Sequence, residues 1–271
     1  RLVRKLASSY YSVIHIHSSH GGSLFRKVVA LVISKFFGKK VVFHIHSSKL
    51  FSDLDRFFLV RLIFKLVNFS DMIVVVSDYW LNDVFRHIKD KQKVRVLNNC
   101  VGLIQNDNGL RKDEILFLGK VCHQKGIEEL LFSFAELRGI FGWKLTIAGN
   151  VDEHYFSYLR DNFSFEGVNF LGWIGAEKRD YLLNQSKIVC IPSYNESFGL
   201  SIFEGLATGN TVVCSRLESL MDLIPNDLVY FSEPGDVKSL ATCLRSAIYN
   251  YDNDLVRRDI AAKFVADNFS V

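Results

Sequence analysis

The five cysteines, Cys100, Cys122, Cys190, Cys214 and Cys243, contain no C-x-x-C pair and are odd in number, so the sequence has neither a disulfide frame nor a zinc-finger pattern. They read as free thiols in a reducing compartment, which predicts a cytoplasmic chain. No stretch reaches about 18 uncharged apolar residues, so no membrane-spanning helix is expected, and no secretory leader is recognisable. Also missing is G-x-G-x-x-G, which argues against a dinucleotide cofactor. With 49% hydrophobic and 23% charged residues, disordered and fibrous classes are excluded as well.

What is present is enough chain, 271 residues, for two domains with full cores. The net charge of +4 hides an uneven spread. Residues 1–100 carry 17 Lys and Arg against 6 Asp (+11), whereas 101–271 carry 16 against 23 acidic residues (−7). A basic first half suggests an anionic partner, either phosphorylated lipid headgroups or nucleic acid.

Strand and helix patterns alternate along the chain. After a basic, amphipathic opening over 1–11, strands are predicted at 13–17, 41–46, 72–76 and 94–97. Helices are predicted at 24–37, 54–68 and 78–88, with a polar loop at 47–53. Residues 98–114, rich in Asn, Asp and Gly, read as a linker. The alternation restarts with strands at 115–118, 144–148, 168–171, 188–191, 211–214 and 228–231, interleaved with helices and ending in one at 255–269. This predicts α/β architecture with two doubly wound, Rossmann-like parallel-sheet domains. They span 1–105 and 106–252, and 253–271 forms a terminal helix.

The most informative stretch is 191–210, I-P-S-Y-N-E-S-F-G-L-S-I-F-E-G-L-A-T-G-N. An apolar strand ends at Pro192, Ser197 and Gly199 suit a turn, and Leu200, Ile202, Phe203 and Leu206 give a helical stripe, predicted over 198–207. Such a junction opens at the carboxyl edge of a parallel sheet, where the first amides of the helix favour an anion. Glu196 and Glu204 frame it. Were both helical, eight residues at about 1.5 Å rise would set them roughly 12 Å apart, too far for a glycoside hydrolase pair at about 5–9.5 Å. Taken alone, they read as solvated surface carboxylates.

Glu196-x7-Glu204, with Ser193 before it, Phe198-Gly199-Leu200 inside it and Gly209 after it, resembles the signature of family 4 glycosyltransferases of the GT-B fold, the "glycosyl transferases group 1". A second marker of that family stands upstream as Phe117-Leu118-Gly119-Lys120, followed by Lys125-Gly126. The likeness runs through nearly the whole chain.

The resemblance implies two domains facing a cleft, the terminal helix crossing back to the first, and retaining, metal-independent hexosyl transfer from a nucleoside diphosphate sugar. The acceptor would be a saccharide or lipid-linked saccharide, as in bacterial surface polysaccharide assembly. No cofactor beyond the donor is implied. Lys120 and Lys125 would receive the charge growing on the diphosphate, with Gly119 beside them. Glu204 would bind ribose hydroxyls and Glu196 the transferred sugar, while Ser197, Phe198, Gly199 and Leu200 line the donor. His46 matches the family's active-site histidine. The family commonly has Arg where Lys120 stands, which trades a two-pronged contact for a point charge. Members of the family also begin with a strand and glycine-rich loop that this sequence does not show, so it is expected to be a piece trimmed at the front, lacking part of the acceptor site.

Two H-x-H pairs, His15/His17 and His44/His46, each share a strand face. No third ligand follows at a convincing spacing, so no metal site is expected, and His44 reads as a buried, hydrogen-bonded histidine. Asp53-Leu54-Asp55 has D-x-D spacing but falls at a predicted helix start, where acids cap amides. The basic, aromatic helices suit peripheral contact with an anionic membrane, on its inner face, as well as they suit core packing. Two other classes compete: a catalytically degenerate nucleotide-sugar-binding or scaffold module, and a nucleic-acid binder. The second is disfavoured because the basic residues are dispersed and no recognised module appears.

Overall fold

The computed structural model describes residues 10–102, 104 and 109–270. Most of the basic opening and the middle of the expected linker fall outside these. Contacts divide the chain into Arg1–Asn99 and Cys100–Val271. Each half is the parallel α/β unit that the alternation predicts.

In the first unit β1 (Val13–Ser18), β2 (Lys40–Ile45), β3 (Met72–Val75) and β4 (Val94–Val96) lie in that order, all parallel. Parallel neighbours need crossover segments. Helix α1 (Gly22–Phe36) makes the first crossover and buries Leu24, Val28 and Leu31 along one stripe. Between β2 and β3 the structure corrects the expected loop at 47–53 and single helix at 54–68. The chain forms α2 (Lys49–Arg56) and α3 (Phe58–Phe64), broken at Phe57, which is extended (φ −116°, ψ 114°). The apolar stripe starts at Leu50, not Leu54: Leu50, Phe51 and Leu54 are all buried, and Phe51 stacks on Trp80 at 5.1 Å. Asp53 and Asp55 therefore sit in the last turns of α2 and cap nothing at its start. Asp55 faces Arg86 at 3.8 Å. The helix expected at 78–88 begins at 78 as a 3-10 turn (Asp78–Trp80), continues as α4 (Leu81–Phe85) and ends earlier than expected.

The second unit holds β5 (Lys112–Leu118), β6 (Lys144–Ala148), β7 (Val168–Gly172), β8 (Ser186–Ile191), β9 (Thr211–Ser215) and β10 (Tyr230–Ser232). Their order is β10-β9-β8-β5-β6-β7, all parallel. The chain winds outward from β5 one way and from β8 the other, so loops leaving these two strands part at the carboxyl edge. Helices α5 (Ile127–Phe141), α6 (Glu153–Asn162), α7 (Ala176–Gln185), α8 (Leu200–Ala207), α9 (Glu218–Met221) and α10 (Val237–Tyr249) make or follow the crossovers. The last helix, α11 (Leu255–Phe269), packs on α8, with the Phe269 ring 4.6 Å from Phe203.

β5 begins earlier than the expected linker allowed. Arg111 explains it: its guanidinium donates to the carbonyls of Leu183, Ser186 and Thr208 at 2.8, 2.9 and 2.5 Å, tying residues read as linker to the rims of β8 and α8. Among the described residues no helix is long and apolar enough to cross a membrane.

Candidate active site

The loops after β5 and β8, on either side of the parting, are locked together by backbone. Tyr194 N–H donates to the Gln124 carbonyl at 3.0 Å. Gly126, left-handed at φ 67°, lies so close to Pro192 that a Cβ there would fall 2.0 Å from its carbonyl oxygen. This junction delivers Lys125 to Glu196: the ammonium donates to Oε1 at 2.5 Å, and the Ser193 hydroxyl donates to the same oxygen at 2.8 Å. Ser219 holds the segment from below by donating to the Glu196 carbonyl at 2.9 Å.

Helix α8 starts two residues later than its sequence pattern suggests. Gly199, at φ 84°, is its left-handed N-cap, and Phe198 turns into the core, 4.6 Å from Phe203. Glu196 thus lies on the loop, not on the helix, so the rise that set the two glutamates apart does not apply. Glu204, one turn into α8, accepts from Arg179 of α7 at 2.8 Å. Neither glutamate is a solvated surface group: the side chains of Glu196 and Glu204 are 13% and 16% exposed. Burial raises the Glu204 carboxyl above the usual carboxylate value, while Arg179 pulls it back down and Asp180 pushes it up.

A cavity of about 630 Å³ opens over the carboxyl ends of β5, β6 and β7. Gly119 and Lys120 line it from β5, Gly149 and Asn150 from β6, Trp173 from β7, Arg179 from α7, and Leu200, Ser201 and Glu204 from α8. Gly149 is needed there, since a Cβ would meet the Gly119 carbonyl oxygen at 1.7 Å. So Lys120, Gly119, Leu200 and Glu204 share one cavity. Lys125 and Glu196 form a separate ion pair outside its lining, with Ser197 close by in sequence. Lys120 is exposed, as a loop lysine would be.

Arg179, Asn150 and Trp173 were not among the sequence candidates. A signal for Asn150 existed, because Gly149-Asn150 repeats the strand-then-glycine pattern of Leu118-Gly119. Nothing local marks Arg179, which reads as a surface residue of a polar helix.

In the first unit His46 stands just past β2, its ring 5.0 Å from that of His17. The sheet corrects the histidine expectations. His17 pairs in register with His44, so both H-x-H pairs share one face. His15, His17 and His44 each offer a ring nitrogen, all within 4.8 Å of one another. His44 is 4% exposed, and neither of its ring nitrogens has a hydrogen-bond partner among the described residues. Leaving a buried polar group unpaired costs about 1–3 kcal/mol. Burial, then the neighbouring imidazoles of His46, His17 and His15, push its pKa down to about 3.

Residues 104–263 match the family model described as "Glycosyl transferases group 1", and residues 1–103 match "Glycosyltransferase Family 4". An uncharacterized glycosyltransferase of Methanocaldococcus jannaschii is 30% identical over 60% of this chain and 44% of its own length. The 2-deoxystreptamine N-acetyl-D-glucosaminyltransferase of Niallia circulans is 22% identical over 85% of this chain and 65% of its own. The chain thus spans about half to two thirds of these relatives. The crystal structure of Anabaena HepE in complex with UDP-glucose superposes with a TM-score of 0.83 at 17% identity, over 99% of this chain and 78% of that one.

Proposed function

The chain belongs to the glycosyl transferases group 1 family, and on that premise we propose that it moves a hexosyl group, with retention, from a nucleoside diphosphate sugar to a saccharide or lipid-linked acceptor. The observation that carries this reading is the cavity that gathers Lys120, Arg179 and Glu204 at the strand ends. Glu204, held by Arg179, offers a carboxylate to ribose hydroxyls. Lys120 and the amides of Leu200 and Ser201, the first two of α8, would face the diphosphate as it develops charge when the sugar leaves. Fixed cations and amides receive that charge without a metal. The Lys125–Glu196 pair stands ready beside it: Glu196 orients sugar hydroxyls, and Lys125 is drawn to the diphosphate when donor enters.

The acceptor side fits surface polysaccharide assembly in the bacterial cytoplasm, with the first unit against an anionic membrane. Support for the membrane contact comes from α1 and α3. Phe36, Phe58 and Leu59 are 86%, 72% and 65% exposed there, with Arg61 and Lys65 beside them.

The test is turnover of a panel of nucleotide sugars. Glu204→Gln and Lys125→Ala should each cut the rate by roughly a hundredfold or more, the scale of losing one fixed partner of a developing charge. Unaltered rates in both variants overturn the assignment. Calorimetric binding of a donor with neither transfer nor hydrolysis supports instead the degenerate binding module, for which Lys120 in place of the family's usual Arg speaks.

A further inference from the structure

The carboxyl ends of β1 and β2 gather four imidazoles on one face: His15 and His17 from β1, His44 from β2 and His46 just beyond it. Three features separate this group from an ordinary ring cluster. The ring nitrogens of His15, His17 and His44 converge to within 4.8 Å. His44 is more than nine-tenths buried, yet both its nitrogens are without a hydrogen-bond partner among the described residues. His17 Nδ1 is engaged with His46 Nε2 at 2.8 Å, which leaves its other nitrogen to serve as a ligand.

We propose that His15, His17 and His44 bind one transition-metal ion of the zinc class, with the remaining coordination position open to solvent. A tetrahedral ion with nitrogens at about 2.0–2.1 Å holds them roughly 3.4 Å from one another. Small ring rotations close that gap, and they are easy for His15 and His17, which are exposed. An all-imidazole set suits Zn²⁺, Cu²⁺ or Ni²⁺, whereas Mg²⁺ and Ca²⁺ want oxygen ligands, and these three residues offer only ring nitrogens. His46 then fixes the His17 ring by the hydrogen bond already present, as outer partners do for metal-held histidines. The ion gives a partner to one of the two His44 ring nitrogens, both of which are unpaired among the described residues. The site lies wholly in the first unit and does not rest on the donor-site reading.

The test uses the full chain after removal of metals with a chelator. Zn²⁺ is titrated by calorimetry, and Co²⁺ by visible absorption. One equivalent of Zn²⁺ should bind, Mg²⁺ should not, and Co²⁺ should give the absorption of a four-coordinate nitrogen site without a thiolate charge-transfer band. His15→Ala and His17→Ala replace exposed rings, so they should fold normally, and each should weaken Zn²⁺ binding at least tenfold. His154→Ala, at an exposed position of the second unit, should leave it unchanged. Zn²⁺ affinity and stoichiometry that survive both His15→Ala and His17→Ala, or a thiolate band with Co²⁺, overturn the proposal.

Discussion

Gly126→Ala should do far more damage than the same carbon added at Gly142, and the comparison of the two shows why. Both glycines are left-handed, at φ 67° and 66°. An alanine in that region costs about 1–2 kcal/mol, offset by about 0.4–1 kcal/mol because alanine narrows the unfolded ensemble. At Gly142 nothing lies within 4 Å of the added carbon, so the net loss should stay near 1 kcal/mol. At Gly126 the same carbon falls 2.0 Å from the Pro192 carbonyl oxygen, a backbone atom that cannot swing aside. Moving the β8 loop away adds roughly 1–3 kcal/mol, the range for overpacked sites. The expected total is roughly 2–4 kcal/mol, or about 5–12 °C in the melting temperature of a unit this size. The displacement also separates Lys125 from Glu196, so donor affinity should fall with stability. The assay is thermal or urea unfolding of both variants together with donor titration. Equal losses for the two alanines, with donor affinity unchanged, would refute the claim that this junction sets the site.

Arg179→Leu removes the cation that opposes burial at Glu204, so that carboxyl should rise further and the acid limb of the donor-binding profile should move to higher pH; a profile that stays put counts against the pairing. The stability consequence has the reverse sign from an ordinary salt-bridged acid. A carboxyl whose folded pKa lies above its unfolded value of about 4.5 favours folding while protonated, and that contribution is lost as pH rises through the folded pKa. Urea unfolding across this range should show the loss grow in the variant. Ser219→Ala removes one hydrogen bond to the Glu196 carbonyl and should cost about 1 kcal/mol with a modest rise in donor KM. Phe58→Asp should abolish flotation with anionic vesicles at low salt while leaving the melting temperature within a degree or two, because that ring is exposed; flotation that persists removes α3 from any membrane contact.

Much of the architecture is local information, and so it is legible in the chain. Apolar runs such as Val-Val-Phe at 41–43 and Ile-Leu-Phe-Leu at 115–118, short and bounded by polar and turn residues, read as buried strands. Helical periods between them favour parallel pairing, and Ser197 and Gly199 mark a turn before a helix, whose start the sequence pattern set two residues too early. The same locality explains what was missed. The early start of α2 goes with Phe51 packing on Trp80, and the early start of β5 with Arg111 reaching three distant carbonyls. No window of sequence contains either partner.

The sequence by itself determined the alternation of strands and helices and singled out two glutamates and two lysines near the ends of strands. Only the tertiary structure decided how these residues are partnered. Lys125 meets Glu196 across 71 positions, and Arg179 meets Glu204 across 25. His44 joins His17 because β1 and β2 pair in one register and not the next. Helical and strand periods are written in neighbouring residues, whereas register and the parting of loops between β5 and β8 are settled by which sheet buries the most apolar surface. That choice belongs to the whole unit at once.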